Sequence, residues 1–269
     1  MNKSIKTKKY LVIGNPIEHS LSPKLHNYWI KKNNINAIYE KKEISENNIA
    51  DIISQIRNGQ IDGLNVTTPF KNSIISHLDQ LTPLADESQS VNTIYKDGDK
   101  IIGHNTDIGG FELAIKKINY DINGKKVFIL GAGGVVPSII IALKKMNVLK
   151  IFLSNRTKEK GENLKKKFSN IELIKWGTTP DFDVIINATK LGLKKDDEIK
   201  IDYSVLGKNK LFYDIIYNPQ QTTFLSKAKE LGIQTENGKM MFIYQANQAF
   251  SIWHKKMPEI NEEVVKLLD

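Results

Sequence analysis

KKVFILGAGGVVPSIIIALKK, at residues 125–145, is the segment of this chain that says most about its fold. Its apolar run Lys125–Leu130 predicts a buried strand, and Pro137–Lys145 predicts a helix. The turn between them is Gly131-Ala132-Gly133-Gly134. A glycine turn in this place lets backbone N–H groups approach a phosphate at the helix N-terminus, so these four residues are predicted to bind a dinucleotide. The pattern is incomplete, since Val136 stands where a third glycine is usual.

The residues after the next predicted strand indicate which dinucleotide is bound. An NAD site expects Asp or Glu about 20 residues further on, where the carboxylate holds the ribose 2′-hydroxyl. This chain has Ser154-Asn155-Arg156-Thr157 there, with Lys160 one turn later. Guanidinium, ammonium, amide and hydroxyl groups bind a 2′-phosphate, which a carboxylate would repel. Residues 155–157 and Lys160 are therefore predicted to bind NADP rather than NAD.

Predicted strands and helices alternate on both sides of this segment. The expected strands are Lys9–Gly14, Ala37–Ile44, Ile61–Val66, Thr93–Tyr95, Lys100–Gly103, Lys150–Leu153, Asp183–Asn187 and Leu211–Asp214. The expected helices are Ser22–Lys32, Ser45–Arg57, Gly109–Ile118, Lys158–Phe168, Phe224–Leu231 and Met240–Lys255. Ser22 is predicted as the N-cap of the first helix, with Pro23 at its first position. This alternation predicts parallel sheets with helical crossovers, and the turn Asp121-Ile122-Asn123-Gly124 marks the start of a second domain.

The composition excludes several classes of protein. The net charge of +9 comes mainly from lysines scattered along the chain, without a nucleic-acid-binding motif, so we expect a solvated basic surface and no nucleic-acid partner. No run reaches the roughly 18 to 20 apolar residues of a membrane span, and no signal peptide is evident. The absence of cysteine excludes disulfides and thiolate chemistry and favours a cytoplasmic location. The five histidines show no metal-ligand spacing, so no metal site is expected.

Polar clusters lie at the ends of the predicted strands of the first half, where an open parallel sheet presents ligands. They are His19-Ser20-Leu21-Ser22-Pro23, Asn65-Val66-Thr67-Thr68-Pro69-Phe70-Lys71, Val91-Asn92-Thr93 and Gly103-His104-Asn105-Thr106-Asp107. Singly, each is also explained by capping or turn chemistry. In this order and before the glycine turn, they closely resemble the shikimate dehydrogenase family. The resemblance covers nearly the whole chain and resumes at Ile186-Asn187-Ala188-Thr189, at Tyr217-Asn218-Pro219, and from Gly238 through Met241, Gln245, Phe250 and Trp253.

The resemblance implies two α/β domains with the active site in the cleft between them. A substrate domain with a parallel or mixed sheet would take residues 1–112 and be completed by helices at 239–269. A Rossmann-like NADP-binding domain would take residues 113–238. The implied reaction is the reversible, NADPH-dependent reduction of 3-dehydroshikimate to shikimate, on the route to chorismate and the aromatic amino acids. The expected oligomeric state is a monomer or a homodimer.

The resemblance also implies a role for each matching residue. Lys71 and Asp107 would form the catalytic pair. An ammonium donor stabilises the negative charge that builds on a ketone oxygen during reduction and supplies the proton, while a carboxylate orients the lysine. Ser20 and Ser22 would hold the substrate carboxylate with help from Tyr217. The ring hydroxyls would be bound by Asn65, Thr67, Asn92 and Gln245. The cofactor would lie along Asn187, Ala188 and Thr189, with its nicotinamide beside Gly238 and Met241.

Two positions depart from the family pattern. Lys190 stands where a serine usually follows Asn-Ala-Thr, which puts cofactor contacts there in doubt. Met240 replaces a residue that is often small, which would alter packing around the nicotinamide.

Two other functions remain open at the level of sequence. The first is a quinate/shikimate dehydrogenase with broader substrate or cofactor use, which the Asn155-Arg156-Thr157 segment disfavours only in its NAD-dependent form. The second is a catalytically silent nucleotide-binding sensor on the same fold, since a fold alone does not fix function. The presence of both Lys71 and Asp107 speaks against a silent protein.

Overall fold

The computed structural model describes residues 6–194, 196–203, 206–207 and 209–269. The backbone forms two compact units. Unit 1 comprises Met1–Gly110 and Ile243–Asp269, and unit 2 comprises Phe111–Phe242. In the described ranges, no helix is both long enough and apolar enough to cross a membrane.

Unit 1 is built on a six-stranded mixed sheet. Its strands are β1 (Lys8–Gly14), β2 (Ala37–Glu43), β3 (Gly63–Val66), β4 (Gln80–Leu81), β5 (Thr93–Asp97) and β6 (Lys100–His104). They lie in the order β2-β1-β3-β5-β6-β4. β1 pairs in parallel with β2 and β3, whereas β5 is antiparallel to both β3 and β6. As a result, the carboxyl ends of β1, β3 and β6 and the amino end of β5 share one edge of the sheet.

Helices cover this sheet through apolar faces. They are α1 (Ser22–Lys32), α2 (Ile49–Arg57), α3 (Pro83–Ser88), α9 (Glu262–Lys266), and parts of α4 (Asp107–Lys117) and α8 (Lys239–His254), each of which crosses from one unit to the other. Along α2, Ile49, Ile52, Ile53 and Ile56 recur with helical spacing and are buried against apolar side chains of β1 and β3. Burial of such side chains stabilises a fold by roughly 1.5–3 kcal/mol each.

The prediction that Ser22 is the N-cap of α1 is wrong. Leu21 occupies that position, and Ser22 is the first helical residue, with Pro23 behind it. Leu21 already has helical backbone angles, so the helix begins one residue earlier than expected. The Ser20 hydroxyl instead accepts a hydrogen bond from the Ser22 N–H at 3.3 Å. The Ser22 hydroxyl therefore does not cap the helix.

Unit 2 is an open parallel sheet of the doubly wound type. Its strands are β7 (Lys126–Leu130), β8 (Lys150–Ser154), β9 (Ile171–Leu173), β10 (Val184–Asn187), β11 (Leu211–Asp214) and β12 (Gln234–Glu236), in the order β12-β11-β10-β7-β8-β9. Its helices include α5 (Val136–Lys145), α6 (Lys158–Lys167) and α7 (Thr223–Glu230). The strand order reverses between β7 and β10, so their carboxyl ends form the switch point where such sheets bind ligands.

Several short elements were not predicted from the sequence. They are β4, β9, β12, α3 and α9, each two to six residues long. In addition, the single helix expected over Ser45–Arg57 begins as a 3₁₀ turn, Glu46–Asn48, before α2. There the Asn48 side chain accepts a hydrogen bond from the Ser45 N–H at 3.1 Å, which tightens the first turn.

Candidate functional site

A buried ion pair lies at the shared edge of the unit 1 sheet. Lys71 follows the turn after β3, and Asp107 is the first residue of α4. The Lys71 Nζ lies 2.5 Å from the Asp107 Oδ2, and both side chains are about nine-tenths buried. The Lys71 carbonyl also accepts a hydrogen bond from the Val91 N–H at 2.8 Å, which fixes the backbone beneath the ammonium. The structure thus brings the two predicted catalytic residues into direct contact.

The second oxygen of the Asp107 carboxylate is held by Asn92. The Asn92 Nδ2 donates to the Asp107 Oδ1 and to the Thr106 Oγ1, each at 2.9 Å. The Asn92 Oδ1 in turn accepts from the Thr106 N–H at 2.8 Å. Because both carboxylate oxygens have a partner, the orientation of Asp107 is fixed. Charge-assisted bonds of this kind are the strong ones among protein hydrogen bonds.

Asn65, the last residue but one of β3, faces the same cluster. Its Nδ2 donates to the Asn92 carbonyl at 2.9 Å and to the Thr93 Oγ1 at 3.1 Å. Its Oδ1 accepts from the hydroxyl of Tyr39 at 2.7 Å. Tyr39 was not among the predicted site residues, because a tyrosine on a strand is normally a core residue. Its contact with Asn65 arises only because β2 lies next to β1 and β1 next to β3.

The other predicted substrate residues of unit 1 lie at the same sheet edge. Ser20 lies between β1 and α1, Ser22 is the first residue of α1, and Thr67 directly follows β3. Gln245 lies on α8, and its Oε1 is 3.4 Å from the Asn92 Nδ2 although the two residues are 153 positions apart. The fold therefore joins Gln245 to the cluster around Asp107. Tyr217 belongs to unit 2, where its ring stacks on Phe242 at 4.6 Å.

The glycine turn of unit 2 needs its first glycine. Gly131 has φ +111°, and a Cβ there would lie 2.6 Å from the Ala188 carbonyl oxygen. Its N–H donates to the Ser154 carbonyl at 2.8 Å, which ties the turn to the end of β8. Gly133 and Gly134 are exposed just before α5. A side chain at Gly131 would collide with the Ala188 backbone, and the open turn at 133–134 before the helix fits a dinucleotide pyrophosphate.

The cationic segment lies at the end of the adjacent strand. β8 pairs in parallel with β7, with Ser154 opposite Leu130, so the glycine turn and Arg156 emerge at one edge. Arg156, Thr157 and Lys160 are exposed, and the Asn155 Nδ2 donates to the Thr157 carbonyl at 2.7 Å. The strand ends in a serine where an NAD site carries a carboxylate. The arrangement accordingly suits a 2′-phosphate.

A buried network holds the segment after β10. The Asn187 Nδ2 donates to the Asp214 Oδ1 at 3.0 Å, and its Oδ1 accepts from the hydroxyl of Thr189 at 2.7 Å. The Asp214 Oδ2 accepts from the Thr222 hydroxyl at 2.7 Å. Burial raises the pKa of Asp214 to about 6. Sequence reasoning missed this aspartate, since nothing in its local motif marks a carboxylate at the end of a strand as fully buried.

The other residues predicted to bind the cofactor lie beside the same strands. The Ala188 N–H donates to the Leu130 carbonyl at 2.8 Å, which seats residues 187–189 next to the glycine turn. A Cβ on Gly238 would lie 2.1 Å from the Ile215 carbonyl oxygen, so only glycine fits there. Met241 is buried, Met240 is half-buried and Lys190 is exposed. Among the ranges that the structure describes, no three His, Asp or Glu side chains form a group that could hold a metal ion.

The doubly wound sheet of unit 2 and its glycine turn are typical of the cofactor domain of dinucleotide-dependent dehydrogenases. The same chain has a second α/β unit with a buried lysine–aspartate pair, which is suited to proton transfer. Comparison with known protein families identifies two matching domains. Residues 12–94 match the shikimate dehydrogenase substrate binding domain, and residues 112–214 match the shikimate/quinate 5-dehydrogenase domain. The chain belongs to the shikimate dehydrogenase family.

Relatives and solved structures agree with this membership. The chain is 61% identical over 262 residues to a shikimate dehydrogenase (NADP(+)) of Pelagibacter ubique, covering 97% of this chain and 99% of that protein. A shikimate dehydrogenase structure from Aquifex aeolicus is similar with a TM-score of 0.88 at 36% identity, covering 97% of each chain. A shikimate dehydrogenase solved in complex with NADP+ has a TM-score of 0.90 at 33% identity, covering 97% of this chain and 94% of that one.

Proposed function

We propose that this protein is an NADP-dependent shikimate dehydrogenase, which reversibly reduces 3-dehydroshikimate to shikimate in aromatic amino-acid biosynthesis. The identity to the Pelagibacter ubique enzyme over nearly the whole chain supports this assignment. The observation that carries it is the buried Lys71–Asp107 pair, whose carboxylate is also held by Asn92. Burying an ammonium and a carboxylate costs free energy, because both charges lose their hydration. A sensor without catalytic activity gives no reason for that cost.

In this proposal Lys71 is the proton donor. Reduction of a ketone places negative charge on its oxygen, and an ammonium at that oxygen stabilises the charge and delivers the proton. Asp107 holds the lysine in place through its Oδ2 and hydrogen-bonds the reacting hydroxyl. NADPH supplies the hydride when it is bound. In the reverse direction Lys71 accepts the proton from the substrate hydroxyl.

The substrate is proposed to be recognised by its carboxylate and its hydroxyls. Hydroxyl donors of Ser20, Ser22 and Tyr217 would bind the carboxylate. The ring hydroxyls would be bound by Asn65, Thr67, Asn92 and Gln245. Asn92 would also orient Asp107, because its amide donates a hydrogen bond to the Asp107 Oδ1. A site built for hydroxyls rejects analogues without them, since its polar groups would then be left unpaired.

The cofactor is proposed to be NADP, held entirely by residues of unit 2. The glycine turn at 131–134 would receive the pyrophosphate at the start of α5. The 2′-phosphate would be bound by Asn155, Arg156, Thr157 and Lys160. Residues 187–189, Gly238 and Met241 would line the remainder of the cofactor. The exposed Arg156 and Lys160 support the choice of NADP over NAD. The strand before them ends in Ser154, so no carboxylate there would repel the phosphate.

The direct test is the oxidation of NADPH in the presence of 3-dehydroshikimate, followed by the loss of absorbance of the reduced nicotinamide. We expect turnover with NADPH, a much lower kcat/KM with NADH, and turnover of shikimate with NADP+ in reverse. Turnover of quinate with either cofactor is measured as well. It would identify a broader quinate/shikimate dehydrogenase rather than an enzyme specific for shikimate. Binding of NADP without any turnover would show a silent sensor and contradict the proposal.

The proposed setting is the cytoplasm, with the protein a monomer or a homodimer and small molecules as its ligands. Light scattering coupled to size-exclusion chromatography measures the mass in solution against the 30.5 kDa of one chain.

A further inference from the structure

Tyr39 is held rigidly at the outer strand of the unit 1 sheet. It is buried, whereas its neighbours on β2 are half-buried or exposed. The side chain of Asn27, on α1, hydrogen-bonds both backbone groups of Tyr39. It accepts from the Tyr39 N–H at 2.9 Å and donates to the Tyr39 carbonyl at 2.7 Å. The ring stacks flat on His26, with centroids 4.2 Å apart. Both the backbone and the ring of Tyr39 are therefore fixed by α1.

The Tyr39 hydroxyl reaches a residue of the proposed substrate site. It donates to the Asn65 Oδ1 at 2.7 Å. Burial raises the pKa of Tyr39 well above its ordinary value, so the phenol keeps its proton and remains a donor. This hydroxyl thus connects β2 to Asn65 of β3.

This bond determines what Asn65 can offer to a ligand. A primary amide has two N–H donors and two acceptor lone pairs. Both donors of Asn65 are used, by the Asn92 carbonyl and the Thr93 hydroxyl, and Tyr39 takes one lone pair. A flip of the amide would place its oxygen against the Asn92 carbonyl, which can only accept, so the Asn65 Nδ2 stays on that side. What remains is a single acceptor position on the oxygen, suited to a hydroxyl that donates.

We propose that Tyr39 is a positioning residue for substrate recognition, which orients the Asn65 amide so that its oxygen accepts a hydrogen bond from one ring hydroxyl of the substrate. This inference rests on the proposed function. It assigns to Tyr39 no contact with the substrate itself. Its effect passes through Asn65, so it concerns the binding of one hydroxyl and leaves proton transfer at Lys71 and cofactor binding untouched.

The test is Tyr39→Phe, which removes only the hydroxyl oxygen. Oxidation is followed with NADP+ and either shikimate or analogues that each lack one ring hydroxyl. We expect the KM for shikimate to rise roughly 5- to 30-fold, the factor that 1–2 kcal/mol represents. kcat should change less than 3-fold or so, and the KM for NADP+ should stay constant, because neither Lys71 nor unit 2 is affected. For the analogue that lacks the hydroxyl bound by Asn65, the variant should match the unsubstituted protein.

Two further sets of variants separate positioning from simple destabilisation. Tyr10→Phe is the matched control, because Tyr10 is equally buried and packs against Trp253 and His254 in the same aromatic cluster. It should leave every KM unchanged. Asn65→Ala and the double variant Tyr39→Phe/Asn65→Ala complete a cycle, in which the two substitutions should be clearly less than additive if Tyr39 acts through Asn65. Should Tyr39→Phe prove unstable in thermal unfolding, Asn65→Ala alone must still lose discrimination against a single analogue.

The outcomes distinguish the inference from the proposed function. If the unsubstituted protein does not oxidise shikimate, the proposed function fails, and this inference with it. If it does so and a folded Tyr39→Phe variant keeps the KM for shikimate, or raises the KM for all analogues alike, only the role of Tyr39 is refuted. Full additivity in the cycle refutes it equally.

Discussion

The Lys71 ammonium and the Asp107 carboxylate neutralise each other in a setting where each alone would be costly. We predict that Lys71→Ala lowers kcat for 3-dehydroshikimate by about 10²- to 10⁴-fold, the range that a positioned proton donor contributes. KM should change little, since the lost interaction is strongest in the transition state. Asp107→Asn should also slow turnover, and the two changes together should be less than additive. Steady-state kinetics of the three variants measures this.

Folding has to be measured beside activity, because Lys71→Ala leaves a buried carboxylate without its cation, a change that costs roughly 3–5 kcal/mol at fully buried pairs. Circular dichroism of each variant provides that check. Lys31→Ala is the matched control, as it removes an exposed lysine near the end of α1 and should retain full activity. Near-normal kcat in a folded Lys71→Ala variant would exclude the lysine as the acid.

At this scale the sequence predicts those residues whose motif is local. Lys71 and Asp107 could be named because the segments that contain them, 65–71 and 103–107, resemble motifs of the shikimate dehydrogenase family. Tyr39 and Asp214 could not, since their roles depend on which strands lie side by side. Tyr39 on β2 meets Asn65 on β3 past the one strand between them, β1, and Asp214 meets Asn187 on the adjacent strand. Ser22 shows the opposite error: a strong local capping signal was overridden by the helical backbone of Leu21.

Among elements, the long buried strands and helices were predictable and the short edge elements were not. β7, β8 and β10 lie inside the sheet of unit 2 and have continuous apolar runs. β9 and β12 are its outer strands, three residues each, and β12 consists of Gln-Thr-Glu. An outer strand pairs on one side only and needs no apolar run, so neither its periodicity nor its length distinguishes it from a loop.

The packing of α1 against α8 has a consequence for acid stability. His26 of α1 is fully buried among Trp29, Tyr39, Phe250 and Trp253, and within the described part of the chain neither of its ring nitrogens has a hydrogen-bond partner. Burial, with the nearby His254, lowers the pKa of His26 to about 3. Burial and Lys8 lower the pKa of His254 to about 4, against the opposing effect of Asp62. Both rings are therefore neutral in the folded protein well below the ordinary histidine pKa of about 6.5.

We predict that unit 1 loses stability as the pH falls from about 6.5 towards 4. The unfolded chain takes up protons there and the folded cluster does not, which costs up to about 1.4 kcal/mol per pH unit for each proton. His26→Phe, which keeps the stacked ring, should remove part of this loss. Urea unfolding followed by tryptophan fluorescence between pH 7 and 4.5 measures it, since Trp29 and Trp253 adjoin the histidine. His77→Asn, at an exposed position, is the control. An identical pH dependence in His26→Phe and the unsubstituted protein would contradict the prediction.

For the whole molecule, the proposed cofactor residues all lie in unit 2, so part of the cofactor can be used to examine that unit by itself. We predict that adenosine 2′,5′-bisphosphate stabilises the protein against heat far more than AMP does at the same concentration, because only the former carries a 2′-phosphate for Arg156 and Lys160. A ligand present at about 100 times its Kd raises the free energy of unfolding by roughly 2.7 kcal/mol. That corresponds to a rise in Tm of several degrees for a domain of this size.

The variants Arg156→Ala and Lys160→Ala make this prediction specific. Each removes a charge-assisted bond worth roughly 1.5–3 kcal/mol, so each should weaken binding of the bisphosphate by about 10- to 150-fold. Binding of AMP should hardly change, since the glycine turn at 131–134 is untouched. Scanning calorimetry with increasing ligand measures both shifts, and NADPH against NADH in the activity assay should follow the same order. The prediction fails if the two nucleotides stabilise the protein equally, or if the variants bind both nucleotides equally more weakly. Either result would mean that Arg156 and Lys160 do not bind the 2′-phosphate. Selection of NADP would then have to come from elsewhere in unit 2.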